Sequence, residues 1–179
     1  WIMIALFGLG ISTTLGIYSM LPLYLVEEHG MARSYANTIF AMSRVATIAT
    51  ALLGGWFTDR FGAHRTIMVV LAIGGVLTIF LGAASTSWVV PLVFLQPLVA
   101  VCFFPAGFAA LSAIGPAQSR NVIVSFTVPV AFLIGAGAIP ALIGWIGTRG
   151  QLGTGFILVR AMILLGALAA GAVLPKLKI

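Results

Sequence analysis

Acidic residues are nearly missing from this chain: its 179 residues include only three, Glu27, Glu28 and Asp59, and charged residues of both signs make up 7%. A soluble domain carries roughly 25% charged residues, so the charge needed to cover a water-facing surface is not there. A single cysteine, Cys102, excludes an internal disulfide and any cysteine-cluster metal site. The two histidines, His29 and His64, have no partner ligands at helical spacing, so neither a metal nor another cofactor is expected. No acid falls within a long apolar run, no histidines pair and no nucleophile stands beside a base. Against the usual requirements of an active site, an enzyme is excluded. The net charge of +6 reflects scarce acids rather than a basic stripe, which excludes a nucleic-acid surface. Ten-residue segments of alternating polarity, the mark of a membrane β-barrel, are absent.

What remains is hydrocarbon. Residues of the hydrophobic class make up 61% of the chain, and the mean hydropathy is +1.21. A bilayer core about 30 Å thick takes ~20 apolar residues per helix. The pattern predicts an all-α polytopic membrane protein with spans over 2–26, 35–57, 66–84, 88–114, 121–146 and 152–174. Polar groups separate them: Glu27 to Gly30, Ser85 to Ser87, Gly115 to Arg120 and Gly147 to Gln151, with a basic tail at Pro175 to Lys178. Prolines inside a span remove a helical hydrogen bond, so kinks are expected at Pro22, Pro97, Pro105, Pro129 and Pro140. Pro91 suits an opening turn. Trp1 opens directly in an apolar run, and the chain reads as a fragment, a processed product or the ordered part of something longer.

Lysine and arginine placement sets orientation. Arg60, Arg65, Arg120, Lys176 and Lys178 fall on one side, and only Arg33 and Arg149 on the other. That asymmetry puts the Asp59 region and both termini in the cytoplasm.

Charge is dense in one place, the stretch from Gly55 to Arg65 between the second and third spans. Gly55, Asp59, Arg60, Gly62 and Arg65 are spaced as G-x-x-x-D-R-x-G-x-x-R, which resembles the signature loop of the major facilitator superfamily. That family usually has two or three consecutive basic residues near the end, where this chain has Ala63-His64-Arg65-Thr66. The plain reading is a solvated loop. The resemblance implies a latch: Gly55 gives another helix room to approach, and Asp59 faces the positive end of a helix across two halves of a transporter.

The resemblance also implies a twelve-helix fold of which this chain is half, built as two inverted three-helix repeats, here 1–86 and 87–179. First halves of the family often carry an arginine in the fourth helix, and none lies between Trp88 and Ile114. The C-terminal half is therefore expected.

Arg44 lies near the middle of the second span, where an arginine costs roughly 2.5–3.5 kcal/mol on insertion scales. Asn37 and Thr47 share its helical face, a polar stripe suited to a cavity. Ser43, Thr50 and Gly54 read as a small-residue packing face. With no acid in any span, the partner of Arg44 is a backbone carbonyl, an acid from elsewhere or an anionic substrate. A guanidinium binds carboxylate or phosphate bidentately; a structural or gating role is the other reading. Arg160 has only apolar helical neighbours, which suggests snorkelling, a lipid headgroup or misplaced span limits. Tyr18 and Gln96 lie in the first and fourth helices, which line the cavity in the family. Each either donates to substrate or satisfies a neighbouring helix. Gly135, Gly137, Pro140 and Gly144 loosely resemble a glycine-proline motif of antiporters; kinking and close packing are the direct expectation.

The expected function is secondary active transport by alternating access of a small organic or inorganic anion, in the membrane of a cell, a bacterial inner membrane by preference. The expected partners are the bilayer, a second six-helix half and the anion, with no nucleic acid. The alternative is a non-transporting accessory or assembly subunit of a larger membrane complex.

Overall fold

A computed structural model describes residues 1–114, 117–149 and 152–173. Among them there is no strand, and six helices are long and apolar enough to cross a membrane: α1 (Ile2–Glu27), α2 (Arg33–Phe61), α3 (Ala63–Gly82), α4 (Thr86–Ala113), α5 (Arg120–Gly147) and α6 (Leu152–Val173). The expected turn residues Gly115, Pro116, Gly150 and Gln151, and the basic tail, lie outside the described residues.

The charged stretch is not a loop. Nothing in it stops a helix before Gly62, so α2 carries Asp59 and Arg60 in its last turn and α3 begins at Ala63. Gly62 alone joins them, at φ 86° and ψ 153°, a combination open essentially to glycine. At the other side of the membrane α1 closes on Gly30, at φ 63°. Gly30 N–H donates to Val26 and Met31 N–H to Leu25, both at 3.1 Å, a Schellman closure. The next residue with charge does a second job: the Gly153 N–H donates to Glu28 Oε1 at 2.8 Å, tying the end of α1 to the first turn of α6. Beside it the His29 ring stands edge-on to Tyr24, centroids 4.8 Å apart, and burial pushes the His29 imidazole pKa below its ordinary value.

Helix pairing has a pattern. α3 packs along α6 and also against α4, α1 against α5, and α2 against α4. α1 is the central helix, with Phe7, Ile11, Ile17, Tyr18 and Leu21 fully enclosed. Its crossing with α5 depends on missing side chains. A Cβ on Gly16 would run into the carbonyl oxygen of Gly135, and one on Gly135 into that of Gly8. At this contact both helices widen to π geometry, over Ser12–Gly16 in α1 and Leu133–Ala138 in α5. The α5 stretch directly precedes Pro140, which has no N–H for the Ala136 carbonyl.

The other prolines differ in effect. α4 breaks at Val101–Cys102: Pro105 denies Val101 its usual donor, and Phe104 N–H bonds that carbonyl instead at 3.2 Å. The break meets α2, where a Cβ on Gly54 would sit 2.8 Å from Cys102 Cα and the Cys102 thiol donates to the Thr50 carbonyl at 3.3 Å. Ser43 is buried with Gly54, as the small-residue face requires. Pro22 and Pro129 lie inside unbroken α-helix, Ile17–Glu27 and Arg120–Phe132.

Candidate functional site

The site begins with a backbone anomaly. Widening of α1 sends Ile17 N–H to Ser12 rather than to Thr13, so the Thr13 carbonyl is left without its helical donor. Such a group buried in a membrane must be satisfied from elsewhere. Gln96 of α4, fully buried, does it: its Nε2 donates to Thr13 O at 3.1 Å and to Thr78 Oγ1 at 3.2 Å. Its Oε1 is buried without a partner. Tyr18 repairs a second carbonyl. Pro97 cannot donate to Val93, and the Tyr18 hydroxyl bonds Val93 O at 3.0 Å. Both side chains thus hold α1 to α4.

Arg44 approaches the same turn from α2. Its Nη2 donates to the Thr14 carbonyl at 2.6 Å, and the guanidinium carbon lies 4.1 Å above the Tyr18 ring and 5.6 Å from that of Phe40. Of five N–H donors one is used among the described residues, and the group is half-buried rather than enclosed. Stacking on aromatic faces offsets part of the desolvation a charge suffers there. Thr47 directs its hydroxyl back to the Arg44 carbonyl at 2.6 Å. Asn37 is exposed two turns away. Tyr18 and Arg44 are therefore in contact, Thr47 touches Arg44 through its backbone, Gln96 bonds the neighbouring carbonyl of Thr13, and Asn37 stands apart. Sequence reasoning missed Phe40, although its place four residues before Arg44 is a stacking position on a helix. It also missed the carbonyls of Thr13 and Thr14, which nothing in the sequence marks.

The second cluster closes the other end of α2. Asp59, Arg60 and Arg65 are exposed, and no hydrogen bond or ion pair engages them among the described residues. Gly54, rather than Gly55, receives a helix of this chain; a Cβ on Gly55 would meet open space.

The Major Facilitator Superfamily profile matches residues 1–178. The chain belongs to the major facilitator superfamily. Its relatives in that superfamily are transporters by name. One is a probable sulfoacetate transporter of Cupriavidus necator, 29% identical over 81% of this chain and 32% of the relative. Another is a 4-hydroxybenzoate transporter of Pseudomonas aeruginosa, 31% identical over 85% of this chain and 34% of the relative. A third, from Planococcus maritimus, is a Na(+), Li(+), K(+)/H(+) antiporter, 26% identical over 66% of this chain and 30% of the relative. The chain thus spans about a third of the length of these curated relatives. No solved structure matches it. Family and relatives point to a multi-pass membrane transporter and not to an enzyme.

Arg160 is a contrast to Arg44 within the same superfamily scaffold. It falls inside α6, so misplaced span limits do not explain it. Its Nη1 donates to the Ile79 carbonyl of α3 at 3.1 Å, a carbonyl that already accepts from Ala83 N–H at 3.1 Å.

Proposed function

We propose that this chain is one six-helix half of a secondary transporter, that it works by alternating access, and that its cargo is a small organic or inorganic anion bound at Arg44. The observation that carries the cargo is the state of that guanidinium. It is held over Tyr18 by a single carbonyl, keeps most of its donors free among the described residues, and lies in spans whose only acids, Glu27 and Asp59, stand at helix ends. A carboxylate, sulfonate or oxyanion supplies what the site lacks, since a planar guanidinium pairs with such groups through parallel hydrogen bonds. Relatives named for sulfoacetate, 4-hydroxybenzoate and nitrate support an anion; the one named for alkali cations is the competing precedent.

One feature supports a second half, and another an internal repeat. α2 and α5 are the least covered spans, with 17% and 22% of their apolar windows buried against 72% for α1, so both present long unpartnered faces. The pairings α1 with α5 and α2 with α4 also exchange when 1–86 and 87–179 are swapped, while α3 with α6 maps onto itself. That exchange supports an inverted repeat within this half, while α3 with α4 has no equally extensive counterpart in α6 with α1. The absence of an arginine from α4 favours the C-terminal half. In this reading the Asp59 end and both termini face the cytoplasm of a bacterial cell. Asp59, unpaired here, is a latch that meets a helix end of the other half.

The test is a thermal-shift screen of carboxylates, phosphates and inorganic anions on the intact transporter. An anion that binds the folded state raises its melting temperature. Arg44→Lys keeps the charge but loses the fork and should weaken the shift by at least ~10-fold in concentration; Arg44→Gln should abolish it. Equal stabilisation of all three proteins, or stabilisation by cations alone, would remove the anion from Arg44.

A further inference from the structure

A cavity of about 530 Å³ opens between α2, α3 and α4 at the Asp59 end, away from Arg44. α2 contributes Thr50, Leu53, Phe57 and Phe61, α3 the face from Arg65 to Ile73, and α4 Leu98, Val99 and Cys102. From Phe61 to Thr50 is about 16 Å at helical rise, roughly half of a 30 Å hydrocarbon core. The groove is therefore one leaflet deep.

Its polar members are already engaged. Thr50 Oγ1 donates to Thr47 O at 3.1 Å, Thr66 Oγ1 to Gly62 O at 2.9 Å, and the Cys102 thiol to Thr50 and Leu98 carbonyls. A polar solute would find nothing to bind along the wall. Arg65 at the mouth is the exception: its guanidinium is exposed and has no partner among the described residues. Arg60 lies nearby in sequence, and together they outweigh Asp59 as the only acid of that turn.

We propose that this groove is a binding site for an anionic phospholipid of the leaflet at the Asp59 end, with one acyl chain lying between α2 and α3 and the phosphate paired with Arg65. The chain alone gains little by leaving the bilayer for the groove, because lipid tails are as apolar as its walls. Selectivity must come from the headgroup, and a basic pocket between transmembrane helices is suited to an anionic one. The site is independent of the cargo assigned to Arg44.

Native mass spectrometry of the intact protein, extracted and then relipidated with phosphatidylglycerol or phosphatidylcholine, tests it. The wild type should retain phosphatidylglycerol about fivefold better, the effect of one arginine near an anionic headgroup. Arg65→Gln should erase that preference without lowering retention of phosphatidylcholine. Val69→Trp, which fills the groove and leaves Arg65 in place, should reduce retention of both lipids; Ile73→Trp serves the same purpose where that variant fails to fold. A preference unchanged in Arg65→Gln, or retention unchanged by the tryptophans, would overturn the site. So would cysteine cross-links showing the groove filled by a helix from the rest of the transporter.

Discussion

Two arginines lie inside the membrane, and their surroundings differ. Arg44 and Arg160 each give one hydrogen to a carbonyl on another helix, Thr14 at 2.6 Å and Ile79 at 3.1 Å. The carbonyl under Arg44 belongs to the widened turn of α1, and two aromatic rings carry the rest of the guanidinium. Arg160 has no ring beneath it among the described residues, and its helical neighbours Phe156, Ile157, Ile163 and Leu164 are apolar. An intramembrane arginine is thus not a binding site by depth alone. In the reading proposed above, the rings beneath Arg44 are what set it apart, since both arginines leave donors unfilled among the described residues.

Tyr18 is where that contrast breaks most readily. Tyr18→Leu removes both the hydroxyl on the Val93 carbonyl and the ring under Arg44. It should cost about 2–4 kcal/mol in thermal unfolding and weaken anion binding. Tyr18→Phe keeps the ring and strands only the carbonyl, so a loss of about 1–3 kcal/mol should leave affinity within about twofold. If both variants bind alike, the ring does not support Arg44. Arg160→Met comes next. Replacing a poorly compensated charge by an apolar side chain should be neutral or stabilising by about 1 kcal/mol, with transport unchanged in a vesicle uptake assay. A transport defect matching that of Arg44→Gln would erase the distinction between the two arginines. The smallest effect belongs to Asp59→Asn. The contact of a carboxylate with a helix end is worth about 0.3–1 kcal/mol, so opening toward the Asp59 side should rise about two- to fivefold. Thiol labelling on the two faces would measure it, and equal accessibility before and after would leave Asp59 a solvated side chain.

The six spans were legible because hydropathy and length are properties of the segment alone. So was the irregularity in α4, where Pro105 leaves the Val101 carbonyl without its usual donor, although Pro22 and Pro129 lie inside unbroken helix. The joint between α2 and α3 was misread for a different reason. Charge marks the membrane surface, and a surface segment reads as loop, yet Trp56-Phe57-Thr58-Asp59-Arg60-Phe61 contains no residue that ends a helix. The widened turns of α1 and α5 were not legible as such. They coincide with a close approach of the Gly16, Gly135 and Gly8 backbones, a property of the helix pair, although Pro140 marks the α5 stretch in the sequence. Gln96 shows the same limit. Its amide repairs a carbonyl that is orphaned only because α1 widens, so its role follows from a partner helix's irregularity.

The one-residue joint at Gly62 has a mechanical consequence. A flexible loop between two helices absorbs motion, whereas a single residue has no slack. The backbone is tied on both sides of it, Gly62 N–H to Thr58 O at 2.9 Å and Thr66 N–H to Gly62 O at 3.2 Å. A push on the last turn of α2 therefore reaches the first turn of α3 with only the two dihedrals of Gly62 to absorb it. Because α3 packs extensively along α6, a displacement of that turn is passed on to α6, and the joint acts as an elbow rather than a tether.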